Sequence, residues 1–439
     1  MSETKRLIEL IKNGDLDNRL EDIYVDNSVL DYQRNRYINA IEKYENIYFD
    51  NSTEECMEIK DVHLFSAPGR TEIGGNHTDH QRGEVLAAAV NVDVLAVVSK
   101  NDEGIIKLVS DDYEMITIDV NQLEAKEEEK GTPAAIVKGV LVGLKNKGYA
   151  IGGFRTYMTS DVLIGAGLSS SAAFENIIGT IQSYLYNEGQ ISSVELAKIG
   201  QFSEINYFGK PCGLMDQMAS CVGNLVYIDF ADTDNPKIEK VECDFKKYGY
   251  SLCITDTKSS HADCTPEYAA VPNEMKQVAG VFGKDVLREV SMDEILDNAS
   301  QIRKIAGDRA YLRAIHFQME NERVKKEVEA LKTDNFEEFL RNVKASGDSS
   351  YKYLQNVYMS KDLEHQNVSV ALALSDVILD SNCVEKGVSR VHGGGFAGTI
   401  QAFVKNEYVK DYKEFMNNVF GEGACNVYMI RKYGGVEIA

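Results

Sequence analysis

Asp161-Val-Leu-Ile-Gly-Ala-Gly-Leu-Ser-Ser-Ser-Ala-Ala173 sets two glycines and three serines in front of an apolar rhythm. That rhythm, Ala172, Phe174, Ile177, Ile178, Ile181 and Leu185, predicts an amphipathic helix. Glycines ahead of a helix let the backbone approach an anion closely, and the unpaired N–H groups of the first turn point at it. Serine hydroxyls add donors and a hard oxygen ligand for Mg²⁺. A lone Gly-Ser loop also serves simply to cap a helix, so its meaning depends on the rest of the chain. Neither a Walker A pattern nor a dinucleotide-binding G-x-G-x-x-G occurs.

Upstream of this loop the texture is β-rich: VHLFSAP from Val62, VLAAAVNVDVLAVVS from Val85, IIKLVS, and Phe154 to Met158. NQLEAKEEEKGT between them predicts a solvated loop or helix start. The first sixty residues predict helix, with Tyr37, Ile38, Ile41, Tyr44 and Tyr48 on one side, and a packing or capping role. Downstream, Ser192 and Glu195 form a capping-box pattern opening a helix that runs through Glu204. The second half alternates strands near 224–230, 250–256 and 399–404 with helical segments between about 270 and 380. With 439 residues, two domains are expected. The expected layout is a helical extension over 1–60, an N-terminal domain over 61–205 and a C-terminal domain over 206–439, whose last strand returns to the first domain.

The formal net charge of -22 repels phosphate backbones and anionic lipid, so neither nucleic acid nor a membrane surface is an expected partner. The eight cysteines contain no C-x-x-C pair and predict reduced thiols. The start carries no secretory pattern, and Val85 to Val98 is too short and too polar to span a bilayer. A cytoplasmic protein, monomeric or weakly dimeric, is expected.

Two further glycine-rich motifs flank the loop. Ala67-Pro-Gly-Arg-Thr-Glu-Ile-Gly-Gly-Asn-His-Thr-Asp79 crowds Arg, Glu, Asn, His and Asp onto a predicted turn. Such a turn suits a polyhydroxylated ligand, whose hydroxyls each need a donor or acceptor, or is simply a polar surface turn. Arg390-Val-His-Gly-Gly-Gly-Phe-Ala-Gly398 feeds a strand, and is equally readable as a tight structural turn.

Together the three motifs resemble the GHMP kinase superfamily, and the Arg70 motif resembles the galactokinase signature Gly-Arg-Val-Asn-Leu-Ile-Gly-Glu-His-Thr-Asp-Tyr. Gly167-Leu-Ser-Ser-Ser-Ala172 matches the family's phosphate loop without a change, and Pro211-Cys-Gly-Leu-Met-Asp-Gln217 lies close to its Pro-Cys-Gly-Ile-Met-Asp-Gln. Order and spacing agree from about residue 62 to 405. The resemblance implies a two-domain α+β fold with its active site in the interdomain cleft, and transfer of the γ-phosphate of ATP to the anomeric hydroxyl of a galactose-like sugar. It implies Asp216 as the catalytic aspartate and Arg70 as its partner. Ser171 and Glu204 would hold Mg²⁺, and Gly165, Gly167, Leu168, Ser169, Ser170, Ser171 and Ala172 would bind ATP. Asn76, His77, Asp79, Gly213 and Tyr268 would contact the sugar. His261 and His392 are expected to be satisfied loop or core histidines.

Four positions depart from the family pattern. Asn76 replaces a glutamate, Glu72 an asparagine, His80 a tyrosine and Ala397 a glycine. Three lie on the sugar-facing segment, so galacturonate, N-acetylgalactosamine and arabinose are alternative substrates. A silent sugar sensor is the reading from another class, and the intact Ser169 to Ala172 and Asp216 speak against it.

Overall fold

The computed structural model describes residues 2–49, 61–111, 113–162, 167–259, 264–362, 364–380, 383–396 and 398–439. Its strands are β1 (Val62–Gly74), β2 (Glu84–Asn101), β3 (Ile105–Ser110), β4 (Tyr113–Asp119), β5 (Gly153–Ser160), β6 (Leu225–Asp229), β7 (Lys237–Val241), β8 (Tyr250–Asp256), β9 (Gly387–Val391), β10 (Thr399–Lys405), β11 (Cys425–Tyr428) and β12 (Val436–Glu437). Eight of them form one sheet along β12-β1-β2-β5-β3-β4, with β6 pairing β2 and β7; the order β11-β8-β10-β9 makes a second sheet. The helices that matter for the site are α1 (Glu3–Lys12), α2 (Asp17–Tyr24), α3 (Leu30–Tyr48), α4 (Pro133–Asn146), α5 (Ser170–Asn187), α6 (Ser193–Ser203) and α7 (Met215–Val222).

The first sheet is covered on both faces, which explains why β2 reads as an almost continuous apolar run. Successive strand residues point to opposite sides. Val94, Ala96 and Val98 join Ile136 and Val140 of α4 and Ile177 and Ile181 of α5 in the main core. Leu95 and Val97 face the other way, onto Leu7, Ile11, Tyr37, Ile41 and Tyr44 of the N-terminal helices. Those helices therefore pack, as their periodicity predicts. Asp93, fully buried on β2, ties them in: it accepts from Arg36 Nη1 of α3 at 2.6 Å and from Tyr24 of α2 at 2.8 Å. Arg431, just before β12, lies 3.3 Å from the same carboxylate. Cys212, Cys221, Cys243, Cys253, Cys383 and Cys425 are free thiols.

Two expectations are corrected. A divide at residue 205 does not separate the sheets, because β6 and β7 run on to Val241 and β6 bonds to β2 from Glu84↔Asp229 to Ala88↔Leu225. The return of chain to the first sheet is β12, paired antiparallel with β1 through Phe65↔Glu437 and Ser66↔Val436. The capping box forms only in half. Ser192 Oγ accepts from Glu195 N at 3.2 Å, but the Glu195 carboxylate lies 3.0 Å from Lys147 Nζ instead of reaching back. The helix stays α-helical to Ser203 and continues as a single π-turn, Glu204–Phe208, a feature frequent at functional sites.

Candidate active site

Arg70 does not sit on a turn. It lies within β1, immediately after a register slip between Pro68 and Arg70 that locally bends the strand. Gly69 faces the Leu168 carbonyl and Val162 so closely that an added Cβ would come within 3.0 Å of that carbonyl. The strand and the phosphate loop are thereby pressed together, and Arg70 N donates to Leu168 O at 3.0 Å. The Arg70 guanidinium spans the gap. Nε and Nη2 donate to Asp216 Oδ1 and Oδ2 at 2.6 and 2.5 Å, and Nη1 donates to the Gly167 carbonyl. Asp216 lies in the first turn of α7 and also accepts from Ser169 Oγ at 2.9 Å. Burial alone would raise its pKa, but the Arg70 charge and hydrogen bonds overcome this and hold the carboxyl well below the usual carboxylate range.

Next to this pair is a cluster of buried polar side chains. Glu204, nearly fully buried, accepts from Ser171 Oγ at 3.2 Å through Oε1, and from Gln217 Nε2 at 2.7 Å through Oε2. The same Gln217 amide donates to Glu175 Oε2 at 3.0 Å. Burial, first, and the neighbouring Glu204 carboxylate push the Glu175 carboxyl well above its ordinary range. Lys210 Nζ lies 3.1 Å from Glu204 Oε1. One carboxylate and one hydroxyl suit Mg²⁺ that arrives on a triphosphate, because that ion keeps waters and phosphate oxygens as its other ligands. Gly167, Leu168, Ser169, Ser170, Ser171 and Ala172 lead into and open α5, whose N-cap Ser169 has a left-handed φ of 54°. Gly165 lies outside the described residues, as do Ala397 and His261.

Of the expected sugar contacts, Asp79, Gly213 and His77 gather beside Asp216, Tyr268 lies against the glycine run, and Asn76 stands apart. Asp79 Oδ2 accepts from Met215 N at 3.2 Å, and a Cβ on Gly213 would lie 1.7 Å from that same oxygen, so only glycine fits there. His77 faces the glycine run, with Nε2 3.8 Å from where a Gly393 Cβ would stand. Tyr268 donates to the Gly395 carbonyl at 2.7 Å and packs against Gly394. Asn76 is the exception and a correction. Its Nδ2 donates to Glu320 Oε1 and Ser346 Oγ, each at 3.1 Å, and its Oδ1 accepts from Ser350 at 3.1 Å and Arg390 at 2.8 Å. Every donor and acceptor of the amide is spent inside the protein. Glu72, fully buried, accepts from His77 N at 2.6 Å. Nor does His80 add positive charge, since burial pushes its pKa down to about 4. His392 is a core histidine, its ring nitrogens each 2.9 Å from the hydroxyls of Thr71 and Thr399.

Gln217, Glu175 and Lys210 were not singled out by sequence. Glu175 follows Ser171 by one helical turn on α5, which is the signal that finds it; Gln217 closes the Pro211–Gln217 block, which is its signal, whereas Lys210 precedes that block without one.

A family model described as the galactokinase galactose-binding signature matches residues 54–100, and one for the GHMP kinase N-terminal domain matches 135–224. A galactokinase of Glaesserella parasuis serovar 5 is 32% identical over 362 residues, covering 80% of this chain and 87% of its own. The chain belongs to the galactokinase family. A galactokinase of Thermotoga neapolitana is 30% identical and covers 81% of this chain and 93% of its own. The crystal structure of Lactococcus lactis galactokinase complexed with galactose superposes with a TM-score of 0.74 at 24% identity, covering 90% of this chain and 98% of the other. The fold is thus the two-domain GHMP kinase fold. No helix among the described residues is long and apolar enough to cross a membrane.

Proposed function

We propose that this galactokinase-family chain transfers the γ-phosphate of ATP to the anomeric 1-hydroxyl of galactose, giving galactose 1-phosphate and ADP. The observation that carries the residue roles is the two-pronged Arg70–Asp216 pair, anchored by Ser169 and set beside the N-terminus of α5. In this reading Asp216 orients the sugar hydroxyl and receives its proton as the new O–P bond forms and the bond from Pγ to the ADP oxygen breaks. A carboxylate held this far below the ordinary range is a weak base, so the proton moves late. That suits a loose phosphoryl transition state, which demands positioning and charge neutralisation more than nucleophile activation. Arg70 keeps Asp216 ionised. Glu204 and Ser171 would hold Mg²⁺, which supplies charge neutralisation on the phosphates when bound. His77, Asp79, Gly213 and Tyr268 would line the sugar subsite. The six free thiols at Cys212, Cys221, Cys243, Cys253, Cys383 and Cys425 support a reducing, cytoplasmic setting.

The test is ADP release and product identification with Mg-ATP against galactose, galacturonate, N-acetylgalactosamine and arabinose. Galactose should be the preferred substrate and should appear as its 1-phosphate; a higher kcat/KM for any other sugar overturns the substrate assignment.

Two predictions belong to this site. Glu204→Gln and Ser171→Ala should each raise the Mg²⁺ concentration giving half-maximal rate, by about tenfold or more, the scale of losing an oxygen ligand or its charge. An unchanged half-saturation in both variants would place the metal elsewhere. Asn76→Glu should set a second carboxylate beside Glu320 Oε1 and forfeit the two amide donor bonds. The expected cost is about 2–3 kcal/mol of stability, read from the urea midpoint. The kcat/KM ratio of galactose to galacturonate should stay as in wild type.

A further inference from the structure

The geometry points to Lys210 as a phosphate-binding residue that is held in waiting by Glu204 until the metal and nucleotide arrive. This inference rests on the kinase reading above. An acidic chain must bring a triphosphate next to Asp216, Glu204 and Glu175, with its overall charge working against it. Among the described residues, the hydrogen-bond and ion-pair network around those carboxylates contains two cationic side chains, Arg70 and Lys210. Arg70 is committed: all three of its nitrogens are used, two on Asp216 and one on the Gly167 carbonyl. Lys210 is not. Among the described residues its ammonium bonds to Glu204 Oε1 at 3.1 Å, and its side chain is 63% exposed.

Its placement follows from the local backbone. The π-turn Glu204–Phe208 ends at Gly209, whose φ of 86° reverses the chain, and Lys210 N donates back to Glu204 O at 3.0 Å. The backbone of Lys210 is therefore anchored to the same residue that its ammonium faces, while the four-carbon stem stays free to swing. Ser171 Oγ and Lys210 Nζ both contact Glu204 Oε1, so the ammonium stands where a hard cation would take that oxygen. A metal held by Glu204 and Ser171 would compete with the ammonium for Oε1, and the freed lysine would then be available to pair with nucleotide phosphate oxygens. A lysine is suited to this exchange, being a mobile point charge with three donors.

The experiment compares wild type, Lys210→Met and Lys210→Arg by calorimetric titration with ATP, ADP and AMP in Mg²⁺, at low and high KCl. Binding of Mn²⁺ without nucleotide is followed in parallel. Because Lys210 is exposed, neither variant threatens the fold, and a thermal melt verifies this. In Lys210→Met, ATP and ADP should bind about tenfold more weakly while AMP changes less than twofold, as loss of a charge-assisted phosphate contact requires. The salt dependence of ATP binding should become shallower. Mn²⁺ alone should bind more tightly, its competitor having gone. Lys210→Arg should restore most of the ATP affinity. Equal weakening of ATP and AMP, or unchanged ATP affinity, overturns the role of Lys210 and leaves the kinase reading standing. Absence of Mg-ATP binding in wild type overturns both.

Discussion

Asp216→Asn should lower kcat by about a hundredfold or more while the sugar dissociation constant stays within a few-fold of wild type. The amide is isosteric and still accepts from Ser169 or Arg70 through its one oxygen. It cannot take the sugar proton, and it presents Arg70 with half of its present partner. Arg70, with its side chain 6% exposed, is left with an incompletely compensated charge, so stability should also fall, by about 1–3 kcal/mol. The two effects separate experimentally: kcat is measured on folded protein well below its melting temperature, and sugar affinity by titration. The pH behaviour follows from the depressed pKa. A carboxyl held below the ordinary range is ionised throughout the working range, so wild-type kcat should show no acid limb from Asp216 above about pH 4. The stabilisation from the Arg70 pair is present above the ordinary carboxylate pKa and is lost as pH falls through the lowered value. Near-normal kcat in folded Asp216→Asn would remove this residue from the reaction.

Asp93→Ala should be the most damaging change to the fold. Its carboxylate is fully buried and compensates two fully or nearly buried guanidiniums, Arg36 and Arg431, while accepting from Tyr24 and Ser66. Removing it leaves Arg431 without its counter-charge and Arg36 with Asp161 alone, 3.2 Å away, and breaking a buried pair costs about 3–5 kcal/mol. Set against a total of about 5–15 kcal/mol for a typical protein, the variant should sit near unfolding at 37 °C. Burial would raise the Asp93 pKa, yet Arg36 and Arg431 bring it below the ordinary value. Its contribution is accordingly present at neutral pH and fades as pH falls past the carboxylate range. Urea unfolding at pH 7 checks the magnitude, and a loss below 1 kcal/mol would show that the cluster is dispensable.

The parts of the molecule legible in the sequence are those whose signal is local. The apolar spacing from Ala172 to Leu185 announced α5, and the glycines and serines before it announced a loop that brings backbone donors to one point. The Arg70 and Asp216 motifs were legible as patterns, although the turn expected at Arg70 is a bent strand. What escaped depends on partners far along the chain. Asn76 looked available to a ligand because Glu320, Ser346, Ser350 and Arg390 leave no trace near residue 76. The boundary at 205 failed because nothing in NLVYIDF says that β6 will pair with β2 rather than with β8. Lys210 escaped for the opposite reason. An exposed lysine is an ordinary surface residue until a buried carboxylate is found 3.1 Å from its ammonium.

The pairing of β12 with β1 has a consequence for how the chain is made. Phe65 leaves the ribosome early, whereas its partner Glu437 is added near the end of this sequence. At roughly 5–20 residues per second, the outer edge of β1 waits some tens of seconds for its neighbour. During that interval it presents unpaired N–H and C=O groups to any other nascent strand. Arg431, which the buried Asp93 requires, is equally late. The first sheet therefore closes only once the whole stretch from β1 to β12 has been translated.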